Sequence, residues 1–446
     1  MLHGNSEATE ELPVIVLGAG PIGLAAAVHL ADRGLPAVVL EAGADVGASV
    51  REWGHVRLFS PWRYLVDPLA RRLLTGRGWE APDPDGLPTG KELVRDYLEP
   101  LAKLPEIAGS LRFGHVVTAV TRNGFDKLKS SGRDREPFVV TADTASGQVK
   151  LLGRAVLDAT GTWSRPNPMG AGGVPAVGEE ENAPNIRYGI PDAVGADRPR
   201  YEGKRTLVVG NGHSAVNAVL ALAALAEASP ETEVIWAIRG DTPHTVAGSG
   251  QTDDLPERAR LGTRARSLVD SSEVAHLTGF RVERIARDTR GLTVTSHDGR
   301  SVAVDEIVVA TGFRPELGLT RELRLELDPV TEAPVRLAPL IDPNVHSCGS
   351  VKPHGQAELS HPERDYYTVG MKSYGRAPTF LLLTGYEQVR SIVAHVAGDL
   401  ESASRVELSL PAGGACGTRP GVPGGACCAT SVDLIEVEAS VPAGAR

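Results

Sequence analysis

Two glycine-rich turns are the residues whose spacing points most directly to chemistry. One reads Gly18-Ala-Gly20-Pro-Ile-Gly23, and the other reads Gly210-Asn-Gly212-His-Ser-Ala215. In such turns the first glycine allows a tight bend, the second lets a pyrophosphate approach the backbone, and the third small residue lets helix and strand pack closely. The helix that follows offers unpaired N–H groups and a positive dipole end to phosphate. Each turn therefore predicts a dinucleotide site.

The residue at the end of the following strand distinguishes the two sites. Glu41 stands there in the first, and an acidic side chain at this place accepts hydrogen bonds from ribose hydroxyls. The second has Arg239, whose guanidinium can bind a 2′-phosphate that a carboxylate would repel. This predicts NADPH rather than NADH, the alternative being that Arg239 is a solvated charge. Ser214 is expected to cap the second helix or to reach a phosphate.

The elements that position these residues form two copies of one pattern. Each copy is a strand, a glycine turn, a helix and a second strand, and each closes later on the phrase Ala-Thr-Gly. The first copy is expected to have a strand at 13–18, a helix that ends at Gly34 and a second strand at 37–40. The second copy is expected to have these elements at 206–210, 214–228 and 234–238, and the closing phrases are Ala159-Thr160-Gly161 and Ala310-Thr311-Gly312.

The segments between these elements predict how the domains are arranged. Polar and apolar residues alternate in 113–157 and 283–307, which predicts an antiparallel insert in each copy. A segment rich in Pro, Gly and Asn, 164–200, is interpreted as a linker, and a helix is expected near 387–397. The expected fold is α/β, with two Rossmann-like dinucleotide-binding domains, the second inserted in a discontinuous first. We place the first domain at 1–168 and 316–410, the linker and second domain at 169–315, and a flexible tail at 411–446.

Composition and charge exclude several classes of protein. Hydrophobic residues make up 41% and charged residues 23%, which is typical of a globular chain. The net charge of −10 and the lack of a basic stripe argue against nucleic acid as a partner. There is no run of 18 apolar residues and no signal-peptide pattern, so we expect no membrane contact and a cytoplasmic location.

The arrangement resembles the two-dinucleotide-binding-domain flavoproteins, and among them the flavin-containing and N-hydroxylating monooxygenases. The resemblance rests on 18–23, Glu41, 47–53, 158–161, 210–215 and 310–315. It implies that FAD and NADPH are the cofactors. The residues implied for FAD are Gly18, Gly20, Gly23, Glu41, Trp53, Thr160 and Gly161, and those for NADPH are Gly210, Gly212, Ser214, Ala215, Arg239, Thr311 and Gly312.

The same resemblance implies that NADPH-reduced FAD activates molecular oxygen to oxygenate a small soft nucleophile. The chain departs from the monooxygenase signature F-x-G-x3-H-x3-[FY], since 185–192 carries neither the Phe nor the His. Disulfide reductases relay electrons through paired cysteines beside the flavin, and no cysteine precedes Cys348. A reductase of a quinone, disulfide or metal ion is one alternative, and a redox or metalloid sensor without turnover is another.

Two further segments supply candidate catalytic residues. In the aromatic and basic loop 51–64, Arg57 and Trp62 could contact a flavin through charge and stacking, the alternative being a packed surface loop. His354 is a candidate proton donor, with Tyr374 near it. Its neighbours Glu358, His361 and Glu363 give metal-like spacing, but the prolines at 353 and 362 argue against a metal.

Three of the four cysteines, Cys416, Cys427 and Cys428, lie in the Gly/Pro-rich tail. Thiolates bind soft metals and metalloids, so the tail could capture trivalent arsenic, and an arsenical is a speculative substrate on this ground. Chance clustering in an unstructured end is the alternative.

Overall fold

The computed structural model describes residues 12–241, 256–289, 291–345, 351, 353–378 and 380–408. In these ranges the strands are β1 Val14–Leu17, β2 Ala37–Leu40, β3 Leu111–Arg112, β4 Val116–Arg122, β5 Phe138–Thr144, β6 Gly147–Gly153, β7 Ala155–Asp158, β8 Ile186–Tyr188, β9 Arg205–Val209, β10 Glu233–Ala237, β11 Ala275–Leu277, β12 Val282–Asp288, β13 Gly291–Ser296, β14 Ser301–Val304, β15 Glu306–Val309 and β16 Tyr366–Thr368. The α-helices are α1 Pro21–Asp32, α2 Ala48–Glu52, α3 Pro68–Thr75, α4 Gly90–Leu93, α5 Glu99–Ala102, α6 Pro105–Ala108, α7 Arg198–Tyr201, α8 His213–Ala228, α9 Pro256–Asp270, α10 Ala338–Ile341, α11 Gln356–Leu359, α12 Leu382–Val396 and α13 Leu400–Ser404.

The first sheet is built around β1, the strand that leads into the first glycine turn. Its order is β16-β7-β1-β2-β3, and every neighbouring pair is parallel. All four residues of β1 are buried, as expected of a central parallel strand covered on both faces. Since β16 comes from the C-terminal part of the chain, the first sheet is completed only after the second sheet has been formed along the sequence.

The second sheet repeats the first around β9. Its order is β11-β10-β9-β15-β8, again with parallel neighbours throughout. We call the two sheets with their helices the first module and the second module. The α/β fold with two Rossmann-like modules, predicted from the repeated pattern, is confirmed.

Each module also carries a three-stranded antiparallel sheet. These sheets have the orders β4-β5-β6 and β12-β13-β14 and precede the strands β7 and β15. The alternation of polar and apolar residues predicted both of them.

The structure differs from the sequence-based expectation at two places. Ile186–Tyr188, inside the segment interpreted as a linker, pairs with β15 and forms the edge of the second sheet. Three residues are too few to show an alternation of polar and apolar side chains, so the sequence pattern did not predict this strand. Helix α12 begins at Leu382, five residues before the expected Glu387.

Helix α1 is the main contact between the first sheet and the returning chain. Residues Ile22 to Leu30 of α1 are buried, and α12 packs against them. Gly385 of α12 makes this approach possible, because a Cβ at that position would lie 2.5 Å from the Ile22 side chain. In the part of the chain that the structure describes, no helix is both long and apolar enough to cross a membrane.

Candidate cofactor and active site

The first glycine turn has the geometry that the motif requires. Gly18 adopts a φ of +95°, in the region that favours glycine, and its N–H donates to the carbonyl of Leu40 over 2.7 Å. A Cβ on Gly23 would overlap the carbonyl oxygen of Gly18, so only glycine lets α1 pack this closely on the turn. A Cβ on Gly20, by contrast, would have no protein atom within 4 Å. Backbone atoms therefore leave no space for a side chain at Gly18 and Gly23, whereas the space at Gly20 is open.

Around Gly20 the groups needed to bind a dinucleotide are present. No side chain caps the N-terminus of α1, so the N–H groups that follow Pro21 in its first turn can donate to a phosphate. The carboxylate of Glu41 accepts hydrogen bonds from the N–H groups of Ala19 over 2.7 Å and Gly43 over 2.8 Å. These bonds hold Glu41 beside the turn. The first cradle, as we call Gly18–Gly23 with Glu41, fits an adenine dinucleotide such as FAD.

A buried ion pair lies at the same edge of the first sheet. The ammonium of Lys372 donates to Oδ2 of Asp158 over 2.6 Å and to Oγ1 of Thr160 over 3.0 Å. The hydroxyl of Tyr366 donates to the same carboxylate over 2.9 Å. The side chains of Lys372 and Asp158 are 1% and 0% exposed. Burial alone would raise the pKa of Asp158, but Lys372 and the hydrogen bonds from Thr160 hold it below its usual value.

A second set of hydrogen bonds fixes the 3₁₀-helix Gly370–Tyr374, which carries Lys372. The side-chain oxygen of Gln388 accepts from the N–H of Gly370 over 2.8 Å, and its Nε2 donates to Oγ of Ser373 over 2.9 Å. The same Nε2 lies 2.9 Å from Nε2 of His354. Because an amide nitrogen donates, Nε2 of His354 is the acceptor in this contact.

The second glycine turn repeats the closed and open faces of the first. Gly210 has a φ of +138°, and its N–H donates to the carbonyl of Ala237 over 3.1 Å. A Cβ at Gly212 would have no protein atom within 4 Å, and Ala215 is fully buried. Below the turn, the indole N–H of Trp236 donates to the carbonyl of Gly210 over 2.8 Å.

Helix α8 begins at His213, with Gly212 as its N-cap and no side-chain cap. Ser214, expected as a possible cap, is therefore the second residue of the helix. Ser214 lies in the first turn of this helix, and its contact with a phosphate stays a prediction. We call Gly210–Ala215 with the end of β10 the second cradle.

Strand register shows which residues occupy matching places in the two cradles. Leu17 pairs with Leu40, so Glu41 is the next residue in the first module. In the second, Val209 pairs with Ala237, and the next residue is Ile238, which is buried. Arg239 lies one residue further and is exposed. The residue that matches Glu41 in the second cradle is thus the apolar Ile238, and the guanidinium of Arg239 follows one position later.

The two Ala-Thr-Gly turns have different partners. Thr160 belongs to the buried ion pair, whereas Thr311 donates from Oγ1 to the carbonyl of Asn167 over 2.7 Å. Gly161 and Gly312 both have positive φ angles, at 69° and 88°. The second turn is thus hydrogen-bonded to Asn167, which lies in the segment between the two modules. The first turn is hydrogen-bonded to the buried ion pair of its own module.

The aromatic loop 51–64 has a mixed environment. Trp62 is buried in the main core, and Trp53 packs on Gly90, where a Cβ would lie 2.8 Å from the indole ring. Arg57 is exposed and turned toward the Leu87 carbonyl and the Glu92 carboxylate. Phe59 lies 5.3 Å, between ring centroids, from His213 at the start of α8. The loop therefore reaches the second cradle, and the flavin contacts of Trp53, Arg57 and Trp62 stay predictions.

The structure separates the polar cluster of residues 354–363. His354 binds Gln388 and lies 5.6 Å from the Tyr374 ring, Glu358 accepts from the N–H of Gly355, and Glu363 binds Arg133. Within the described ranges, no group of three or more His, Cys, Asp or Glu side chains could hold a metal ion.

The two residues of this region that are proposed as catalytic are both buried. His354 and Tyr374 are each 2% exposed, and their catalytic roles stay predictions. Cys416, Cys427 and Cys428 lie outside the described residues.

Family comparison agrees with the two cradles. The sequence pattern of the pyridine nucleotide-disulphide oxidoreductases matches residues 112–361, which is more than half of the chain. The chain belongs to this family. A second pattern, that of the FAD dependent oxidoreductases, matches residues 13–137 and covers the first cradle.

Curated relatives include monooxygenases and a reductase. The indole-3-pyruvate monooxygenase YUCCA1 of Oryza sativa subsp. japonica is 29% identical over 47% of this chain and 44% of its own. A ferredoxin–NADP reductase of Lactococcus lactis subsp. cremoris is 26% identical over 49% and 54%. The flavin-containing monooxygenase FMO GS-OX-like 2 of Arabidopsis thaliana is 23% identical over 71% and 70%. The match spans about half the length of the first two relatives.

Among solved structures, the bacillithiol disulfide reductase Bdr of Bacillus cereus shares the fold, with a TM-score of 0.64 at 19% identity over 87% of this chain and 99% of that one. The predicted cofactors of this flavoprotein, FAD and NADPH, and its oxidoreductase class are confirmed by these findings.

Sequence reasoning missed Lys372, Gln388 and Trp236. For Lys372 a signal was present, because Tyr366-Tyr-Thr-Val-Gly370 is a β-rich run ending on glycine, like those before both cradles. Gln388 and Trp236 lie within a helix and a strand and have no local signature.

Proposed function

We propose that this flavoprotein is an NADPH-dependent monooxygenase of a small soft nucleophile. The observation that carries the proposal is the composition of the first module. No cysteine occurs before Cys348, so no side chain of residues 12–345 around the first cradle can relay electrons as a thiol pair. The electron acceptor is then a diffusible molecule, and two curated relatives are named as monooxygenases.

The chain's own residues divide the work between the two cradles. Gly18, Gly20 and the start of α1 bind the pyrophosphate of FAD, and Glu41 binds its ribose. The second cradle binds NADPH, with Arg239 on the 2′-phosphate. FAD, when bound, would supply the redox chemistry that couples NADPH oxidation to oxygen. One NADPH, one proton and one O2 then give one oxygenated product, one water and NADP+.

The decisive experiment measures NADPH oxidation by the holoenzyme with and without oxygen, in the presence of thiols, amines, arsenite, methylarsenite or quinones. We expect turnover to need oxygen, and isotopically labelled oxygen to appear in the product. Turnover of a quinone or disulfide at the same rate without oxygen would identify a reductase, as the named activities of the ferredoxin–NADP reductase and Bdr suggest. A flavin that NADPH does not bleach at all would instead favour a sensor that binds nucleotides without turnover.

An arsenical as substrate is a finer proposal that rests on the tail alone. Replacing Cys416, Cys427 and Cys428 with Ser should abolish tight binding of trivalent arsenic, because a hydroxyl is a hard ligand and a thiolate a soft one. Turnover should fall most at low arsenical concentration, where capture limits the rate. Unchanged arsenic binding and turnover in the triple variant would remove the arsenical from consideration without touching the monooxygenase proposal.

A further inference from the structure

The stability of the fold alone gives little reason for the buried pair of Lys372 and Asp158. Burying an ammonium and a carboxylate has a desolvation cost that their attraction roughly offsets, and apolar residues often replace such a pair without loss of stability. The second module provides this comparison within the same chain. By register, Asp158 pairs with Leu17 and Val309 pairs with Val209, so a valine occupies the place of Asp158 in an otherwise matching sheet.

The place of the pair points to the first cradle. Asp158 is the last residue of β7, and Ala159 follows it directly beneath the glycine turn. A Cβ on Gly18 would lie 2.9 Å from the Ala159 carbonyl oxygen, so the two turns are in close contact. At Gly161, two residues on, a Cβ would have no protein atom within 4 Å. Residues 159–161 therefore run from the buried pair, past Gly18, to an open position at Gly161.

The ammonium links Asp158 to this turn through Thr160. The hydroxyl of Thr160 donates to Oδ1 of Asp158 over 2.7 Å and accepts from Lys372, and its backbone N–H donates to the same carboxylate. Lys372 itself is held by the 3₁₀-helix that Gln388 fixes. The ion pair and the turn form one unit, in which a displaced ammonium would release Thr160.

We propose that Lys372 is a positioning residue of the FAD site, acting through Asp158 and Thr160 to hold the turn 159–161 against the first glycine turn. Its role is to keep the first cradle ready for FAD before the cofactor arrives. A cradle that is ordered in advance does not spend binding free energy on ordering itself. The role does not depend on which electron acceptor the enzyme uses.

The test measures the affinity of flavin-free protein for FAD and, separately, of the holoenzyme for NADP+. Lys372→Met keeps the length of the side chain and removes the charge. We expect its dissociation constant for FAD to rise at least about tenfold and that for NADP+ to stay within about twofold, since the second module has no such pair. An FAD affinity equal to that of the wild type would overturn the proposal.

Two further variants separate positioning from general destabilisation. Arg133→Met removes a buried cation of the same module, one bound to Glu363 far along the chain, and should lower the urea midpoint while leaving FAD affinity unchanged. If it weakens FAD binding as much as Lys372→Met does, the effect is only loss of stability. In Asp158→Asn/Lys372→Met no buried charge of this pair is unpaired, so folding should recover while FAD binding stays weak. Recovery of FAD binding in that variant would show that Lys372 merely neutralises Asp158.

Discussion

The two modules share a scaffold and differ in the residues that a cofactor would meet. Both have a parallel five-stranded sheet in the described residues, a glycine turn with a positive φ at its first glycine, and an open face at its second. They differ after β2 and β10, where Glu41 of the first module is matched by Ile238, with Arg239 one residue later. They also differ at the ends of β7 and β15, where Asp158 is matched by Val309. Backbone geometry thus sets where a dinucleotide binds, and a few side chains set which one.

The largest effect is expected from closing the open face of either cradle. Gly20→Val should yield a folded protein without flavin, because a Cβ at this position would have no protein atom within 4 Å and the side chain would fill the space a pyrophosphate needs. Gly212→Val should keep FAD and weaken NADPH binding at least about 100-fold. Visible absorption and NADPH titration measure the two losses. Flavin at full occupancy in Gly20→Val would contradict the assignment of the open face at Gly20 to the pyrophosphate of FAD, and with it the comparison of the two cradles.

Gly23→Ala is the matched control for the first cradle. Its Cβ would overlap the Gly18 carbonyl oxygen, so this smaller substitution should destabilise the whole module. Circular dichroism during urea unfolding distinguishes this loss of stability from a loss of cofactor alone.

An intermediate effect is expected at the strand end that distinguishes the cradles. Arg239→Glu should raise the Michaelis constant for NADPH about 30- to 1000-fold, or about 2–4 kcal/mol, because a charge-assisted bond is lost and repulsion is added. The constant for NADH should change little. Arg281→Glu, at another exposed arginine of this module, controls for net charge. Equal effects on the Michaelis constants for NADPH and NADH would show that Arg239 is a solvated charge and does not bind the 2′-phosphate.

A smaller effect should appear in the response of the two modules to acid. Burial lowers the pKa of His361 in the first module to about 4, and it also lowers the pKa of His276 in the second. A folded pKa below the unfolded value of about 6.5 means that the unfolded state binds more protons between these values. The contribution of His361 to stability is therefore complete above pH 6.5 and lost as the pH falls to 4, by up to about 3 kcal/mol.

Urea unfolding at several pH values tests this assignment. His361→Gln should flatten the decline of stability between pH 6.5 and 4, and His276→Gln should flatten it less, because His276 is less buried. An unchanged acid decline in His361→Gln would assign the pH dependence to other groups.

The sequence predicted the parts of this structure that local patterns encode. Glycine spacing and a β-rich run before each turn were enough for both cradles, since these features lie within about 30 residues. The ion pair joins Asp158 to Lys372 across 214 positions, and no local pattern records such a contact. The one-residue offset of Arg239 relative to Glu41 depends on strand register, which pairing alone reveals. The three-residue strand β8 was too short to give a period.

The position of β16 bears on the order in which the chain folds during synthesis. In the ranges that the structure describes, every strand of the second sheet lies between residues 186 and 309, whereas the first sheet begins at Val14 and waits for Tyr366–Thr368 to emerge from the ribosome. Domains fold as units as the chain is made, and long-range pairing is slow. We therefore expect the module that begins later to fold first, while the N-terminal strands remain exposed to chaperones. Nascent chains stalled before residue 366 should bind NADP+ and not FAD.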